Sequence, residues 1–425
     1  MNAIEFEEYD LENGLYVILH RDQSAPLVAV SVMYHVGSKN ERPDRSGFAH
    51  FFEHLLFEGS ENIERGKFDQ YVLNNGGTLN ANTWYDRTFY YVLMPSNQLE
   101  MGLWLESERM LHAKVDQKGI ETQRKVVKEE RSQRYDNKPY GTWLEETMRR
   151  AFTVHPYKTS VIGNMAHLDA ASEEDFQEFY NTYYIPNNAV LSIAGNLDID
   201  ATKELVDKYF GTIPSGKKIE RVIVEEPPLN GEVRDVVYDN IQLPAVIQGY
   251  RIPEQGTDDF YALTLLSNLL SNGESSRLNK ALVDEQQLAV QVFSIPLSLE
   301  DPGVSLLFAL ANFGITPEQL EAAIDQEIEQ LKSNLISERE YSKLLNQMEK
   351  DSIQEIASVA GVAESLAQYH MYFGDASLIN TELKRFQSVS REDLQRVAQT
   401  YFNKDNRVLL YYLPKENTIN QPQNA

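Results

Sequence analysis

With 425 residues, 42% of them apolar and 24% charged, the chain is too long for one ordinary core and too apolar to stay disordered, so two or more folded domains are expected. A formal net charge of −25 argues against nucleic acid as a partner, because phosphate backbones are held by Lys and Arg. There is no Cys, which excludes disulfides, a cysteine nucleophile and thiolate metal ligands together, so any metal must be held by His and carboxylate.

Residues 1–10 lack a basic segment followed by an apolar one, and no run approaches the length of a membrane span. The expectation is a cytoplasmic chain, or a periplasmic one if a leader has been removed. Residues 15–20 and 27–34 read as strands, joined by a polar turn at 21–25 with Pro26 before the second run. The mixed Gly, Pro and charged residues of 37–46 read as an exposed loop.

The next stretch organises the chain. Residues 47–59 read Gly-Phe-Ala-His-Phe-Phe-Glu-His-Leu-Leu-Phe-Glu-Gly. On a helix, His50 and His54 lie one turn apart on one face, where two imidazoles can meet one ion. Glu53 falls near the edge of that face, placed to reach a water on the ion without being a ligand. This is a zinc hydrolase arrangement with the order of Glu and His inverted relative to His-Glu-x-x-His. Ser46 is the expected N-cap, Phe51, Phe52, Leu55 and Leu56 supply the apolar packing, and Gly59 is the expected terminator.

Beyond the motif, 68–74 reads as a short helix, Gly76 and Gly77 break it, and 78–94 is a single strand-like run holding Asn80, Ala81 and Asn82. Helical stretches follow at 98–111 and 119–134, with an interruption at Pro139, Tyr140 and Gly141. Ser172 and Asp175 form a capping-box start for a helix running to Tyr184, and Pro186, Asn187 and Asn188 turn the chain into a strand at 189–194. Residues 217–228, charged and with paired prolines, read as a linker between domains 1–216 and 229–425.

An internal repeat supports that division. Ser172-Glu-Glu-Asp-Phe-Gln recurs as Ser390-Arg-Glu-Asp-Leu-Gln, and Pro26 and Val28 match Pro244 and Val246, at the same offset of 218 residues. Two copies of one α+β unit are therefore expected. In the second copy the counterpart of the motif helix falls near 261–273, where Thr264, Ser267 and Asn268 replace His50, Glu53 and His54. None of the three suits zinc.

Two His leave a catalytic zinc short of one protein ligand, and composition does not choose it from 64 acidic residues. Here a resemblance adds to the reading. Gly47-Phe-Ala-His-Phe-Phe-Glu-His54 is similar to the signature of the inverzincin metallopeptidases, the family of pitrilysin, insulin-degrading enzyme and the mitochondrial processing peptidase. The resemblance extends over Gly76 to Thr83, Asp86, Thr88, His155-Pro-Tyr157 and Tyr184 to Gly195, nearly the whole chain. It implies an α+β fold of two tandem homologous α/β sandwich domains, each a mixed or antiparallel sheet with helices packed on it, forming half of a clam-like chamber. It implies Zn²⁺ held by His50, His54 and Glu130, the last 76 residues past His54, with Glu129 as the competitor and Glu53 as general base. Gln123 stands where the family often has a second Glu, as an outer partner of the metal site that carries no charge. Asn80, Ala81 and Asn82 fall on the family's substrate-binding edge strand, which implies peptide substrates added by main-chain hydrogen bonds.

One departure bears on function. Active relatives carry an Arg and a Tyr seven apart in the later half, and this chain has Val283 and Val290 there. Valine can neither donate to a carbonyl oxygen nor stabilise developing negative charge. The resemblance therefore implies the zinc-bearing subunit of a heterodimer whose homologous partner supplies Arg and Tyr. The alternative function is a non-catalytic core subunit of a related assembly.

Overall fold

The computed structural model describes residues 3–415; the ends of the chain used in the leader and second-domain readings, 1–2 and 416–425, lie outside the described residues. Six strands build a first sheet: β1 (Glu7–Asp10), β2 (Tyr16–Arg21), β3 (Leu27–Tyr34), β4 (Thr78–Thr83), β5 (Thr88–Pro95) and β6 (Ala189–Gly195). Their order is β1-β2-β6-β3-β5-β4, antiparallel except for the parallel pair β2 and β6. Five strands build a second sheet: β7 (Val233–Asp239), β8 (Ala245–Ile252), β9 (Ala289–Pro296), β10 (Gly303–Ala311) and β11 (Arg407–Pro414). Their order is β7-β11-β8-β10-β9, again with one parallel pair, β7 and β11. Laid over one another, β2, β6, β3, β5 and β4 correspond to β7, β11, β8, β10 and β9, pair for pair and with the same strand senses. The repeat read from Ser172 and Ser390 is thus a repeat of whole sheets, and both residues cap helices through the expected capping box.

In the first unit the central strands β3 and β6 are buried almost throughout, as expected for strands covered on both faces. One face carries the helices Phe48–Leu55 and Leu99–Leu111. Gly102 lets the latter lie close, since a Cβ there would meet Val30 and Val92 at 3.1 and 3.2 Å. The other face is covered by the helix Val359–Phe373, which comes from far along the sequence. Its Val362, Ala363, Leu366 and Ala367 form one buried cluster with Ile18, Ala29, Met33, Phe89, Val190 and Ala194.

The compact units consequently comprise separate stretches: residues 1–129, 155–225 and 347–384 in the first, and 130–154, 226–346 and 385–425 in the second. The second sheet receives the helix Trp143–Ala151, with Trp143 edge-on to Phe293 and Phe308 and Thr147 filling the space above Gly249. Residues 217–228 form neither helix nor strand. Among the described residues no helix is long and apolar enough to cross a membrane.

Two local expectations are corrected. The run 78–94 is a hairpin, β4 and β5, closed by the Trp84 N–H donating to the Arg87 carbonyl at 2.9 Å. The motif helix begins after Gly47 and ends at Leu55, well before Gly59. Ser46 does not cap it: its hydroxyl accepts from the Asn164 N–H at 3.0 Å and lies 2.9 Å from Nδ1 of His167.

Candidate active site

The helix Phe48–Leu55 has two faces. Phe48, Phe51, Phe52 and Leu55, spaced one turn apart, are buried and set its orientation. Phe48 and Phe51 lie against Phe176, with ring centroids 4.5 and 4.6 Å apart, on the helix Glu173–Tyr183. That packing turns His50, Glu53 and His54 to the opposite face.

The two imidazoles meet there with Nε2 to Nε2 at 3.3 Å and ring planes at 81°. The helix Gln117–Arg131 belongs to the first unit through Glu129 and carries Glu130 in its last turn. One ligand atom from each of His50, His54 and Glu130 lies within 4.8 Å of the others, a group of two nitrogens and one oxygen. His50 is buried, and the other two are half-buried. The neighbouring Glu129 is exposed and not in the group. Arg134, one turn further on, places Nη1 2.7 Å from Oε1 of Glu130.

Glu53 is oriented by the sheet. The Thr83 hydroxyl at the end of β4 donates to its Oε2 at 2.6 Å. Among the described residues β4 pairs only with β5, which makes it the edge strand on that side, and Asn80, Ala81 and Asn82 lie along it. Asn80 Oδ1 accepts from the Ala81 N–H at 2.9 Å. Asn82 is held by Arg87, which donates to its Oδ1 at 2.6 Å and with its other nitrogen to Glu364 at 2.9 Å. Gln123, two turns before Glu130, donates to Oε1 of Glu58 at 2.6 Å, and Glu58 is ion-paired with Arg65 at 2.7 Å. Its partner is therefore a carboxylate three residues past the end of the motif helix.

The sequence reading gave no part to Thr83, Arg87 or Arg134. Thr83 lies inside the run that carries the family resemblance, but only the fold brings its hydroxyl to Glu53. In the second unit the helix Asp258–Ser271 packs on β9 as the motif helix packs on β4. Ser267 there shares a hydrogen bond with Ser294 across 2.6 Å, so the position equivalent to Glu53 is spent on packing.

This fold and this arrangement define a class. Residues 16–164 match the family model described as Insulinase (Peptidase family M16), and residues 170–348 match the one described as Peptidase M16 inactive domain. The chain belongs to peptidase family M16, a family of zinc proteases. It is 33% identical to the zinc protease PqqE of Helicobacter pylori over 412 residues, covering 96% of this chain and 93% of that protein. The crystal structure of a protease from Helicobacter pylori superposes with a TM-score of 0.93 at 32% identity, covering 97% of this chain and 100% of that one. The periplasmic protease PqqL from Escherichia coli shares the fold, with a TM-score of 0.77 at 17% identity over 97% of this chain and 48% of its own.

Proposed function

We propose that the protein is a zinc-dependent endopeptidase in which His50, His54 and Glu130 hold the ion and Glu53 is the general base. The observation that carries this reading is the spacing of the two imidazole nitrogens, with an oxygen of Glu130 within 4.8 Å of both. Two ligand atoms at about 2.0–2.1 Å from a tetrahedral ion stand roughly 3.4 Å apart, and the two Nε2 atoms are 3.3 Å apart. Two imidazoles and one carboxylate also form the donor set of catalytic zinc sites that keep one position open.

When bound, the ion supplies Lewis acidity, making water nucleophilic at neutral pH and drawing charge from a peptide carbonyl. The protein's groups do the rest. Thr83 fixes the Glu53 carboxylate through Oε2, so that Oε1 takes a proton from the attacking water and returns it to the leaving amine. The edge strand β4 gives an extended peptide unbonded backbone groups to pair with, which lays the scissile bond beside Glu53 with little regard for sequence. Thr83→Val keeps the volume and removes the hydroxyl, so kcat is expected to fall about 10-fold. KM for a quenched-fluorescence peptide is expected to hold within about twofold.

The reading includes a partner. Val283 and Val290 stand where active relatives place Arg and Tyr, so those two positions supply nothing to steady the carbonyl oxygen as charge develops. A homologous subunit bearing Arg and Tyr completes the site. The 48% coverage of PqqL is in keeping with this, since one chain of the same fold is about twice as long. Adding that subunit is expected to raise the peptide-cleavage rate of the purified chain by about 10²-fold or more. A rate that the partner does not change would remove it from the mechanism. The second reading, a non-catalytic assembly subunit, takes support from the inactive-domain match over 170–348 and predicts no hydrolysis with any partner.

A further inference from the structure

The motif helix is only eight residues long, and its N-cap position is Gly47, with φ +91 and no side chain to satisfy the first backbone N–H groups. No capping residue fits there. A Cβ on Gly47 would lie 2.7 Å from the Ile162 carbonyl oxygen and 3.1 Å from the Gly163 Cα. Ser, Thr, Asp and Asn, the side chains that usually cap a helix, are therefore excluded by space, and Ser and Thr by the left-handed conformation as well.

The cap comes instead from six residues upstream. Glu41 accepts the Gly47 N–H on Oε2 at 2.7 Å and the Ala49 N–H on Oε1 at 2.9 Å. The far end is held in a complementary way. Arg109, 1% exposed, donates through Nη1 to the Leu56 carbonyl at 3.1 Å, and the buried Tyr90 hydroxyl donates to the Phe52 carbonyl at 3.0 Å. Arg109 is fixed by Glu106 at 2.9 Å and lies 4.3–4.4 Å from the rings of Phe57, Phe68 and Tyr90. An acceptor group thus sits on the N–H end and a donor group on the carbonyl end, each matching the partial charge there.

We infer that Glu41 and Arg109 are positioning residues that clamp the motif helix at its two ends, with Glu41 setting the placement of His50 in the first turn. This rests on the zinc peptidase reading above. His50 is the third residue of the helix, inside the turn whose N–H groups Glu41 holds, whereas Glu53 and His54 lie a turn further on. In a helix this short a frayed first turn moves one ligand and spares the other two residues.

Burial pushes the Glu41 carboxyl up to about 8, against the pull of the backbone N–H groups of Ala49, Gly47 and Phe48. In the carboxylate form both oxygens accept, one from each N–H group. Glutamine offers one acceptor and turns its NH₂ toward the other N–H.

The test uses the full-length chain, and its first arm is zinc binding by the parent protein, measured against a chromophoric chelator. Absence of stoichiometric zinc in that arm would overturn the zinc reading and the clamp with it. Given parent binding, Glu41→Ala is expected to weaken zinc affinity about 10- to 100-fold. Backbone amide exchange of the metal-free protein should accelerate at 47–50 and not at 53–55. With partner present, kcat should fall while KM holds. Glu41→Gln, which keeps the volume, should fall between parent and Ala, and it carries the test if Glu41→Ala does not fold.

Asp198→Ala removes the cap of the helix Ile199–Phe210, whose Ala201 N–H it accepts at 3.0 Å, and serves as the control for a general loss of stability. It should leave zinc affinity unchanged. Parent-like zinc affinity and exchange in a folded Glu41 variant, or an equal loss of affinity in Asp198→Ala, would overturn the clamp while leaving the zinc reading intact.

Discussion

Glu53→Gln is expected to keep zinc and lose turnover by roughly 10² to 10⁴-fold, the range over which a positioned general base accelerates proton transfer. The amide is isosteric, and its oxygen can still accept from the Thr83 hydroxyl, so the fold and the three metal donors should be undisturbed. What it lacks is basicity. His50→Ala and His54→Ala should lose zinc and turnover together, because each removes one of the two nitrogens that stand 3.3 Å apart. The measurement is zinc content by atomic absorption beside single-turnover peptide cleavage with partner present. A Glu53→Gln protein that holds zinc and still cleaves at the parent rate would falsify the role given to Glu53.

The second large effect concerns cutting the chain. Residues 1–222 expressed alone should fail to fold, although they contain all six strands of the first sheet and every group of the candidate site. They lack the helix Val359–Phe373, whose Val362, Ala363, Leu366 and Ala367 cover Ile18, Ala29, Met33 and Val190. Leaving that face in water forfeits on the order of 5–10 kcal/mol at about 1.5–3 kcal/mol per large buried side chain. That is comparable with the whole net stability of a typical domain, about 5–15 kcal/mol. Residues 223–425 alone should fail for the reciprocal reason, having lost Trp143 from beside Phe293 and Phe308. Co-expression of the two pieces should restore a soluble, zinc-binding protein, since the cut falls in a stretch that forms neither helix nor strand. A soluble 1–222 fragment with a cooperative thermal transition would contradict the covering role of the distant helix.

How much of this could be read from residues alone depends on the range of the forces involved. The strand 27–34, the helix 68–74 and the capping boxes at Ser172 and Ser390 are set by local periodicity and neighbouring side chains, and they appear where the sequence places them. The hairpin within 78–94 was illegible because its turn, Trp84 to Arg87, has no Gly, Pro or Asn. It is held from outside, by Lys39 and Tyr157 on the buried Asp86 at 3.0 and 2.7 Å. Ser46 looked like a cap because it precedes an amphipathic run, but Asn164 and His167, over a hundred residues away, claim its hydroxyl.

The candidate site divides in the same way. His50, Glu53 and His54 follow from helical spacing, whereas Glu130 enters through the family resemblance, whose spacing favours it over the neighbouring Glu129. Gln123, an outer partner of the metal site by resemblance, donates its amide to Glu58. Thr83 and Glu41 carry no local signal, since each acts on a helix from another element.

The exchange of covering helices also has a consequence for biosynthesis. The first unit is complete only when residue 384 has been made, 159 residues after its preceding segment ends at 225. At roughly 5–20 residues per second, that leaves an apolar sheet face bare for about 8–30 s on the ribosome. A nascent chain in that interval is a substrate for holding chaperones, and slowing translation between 225 and 384 should lower the soluble yield.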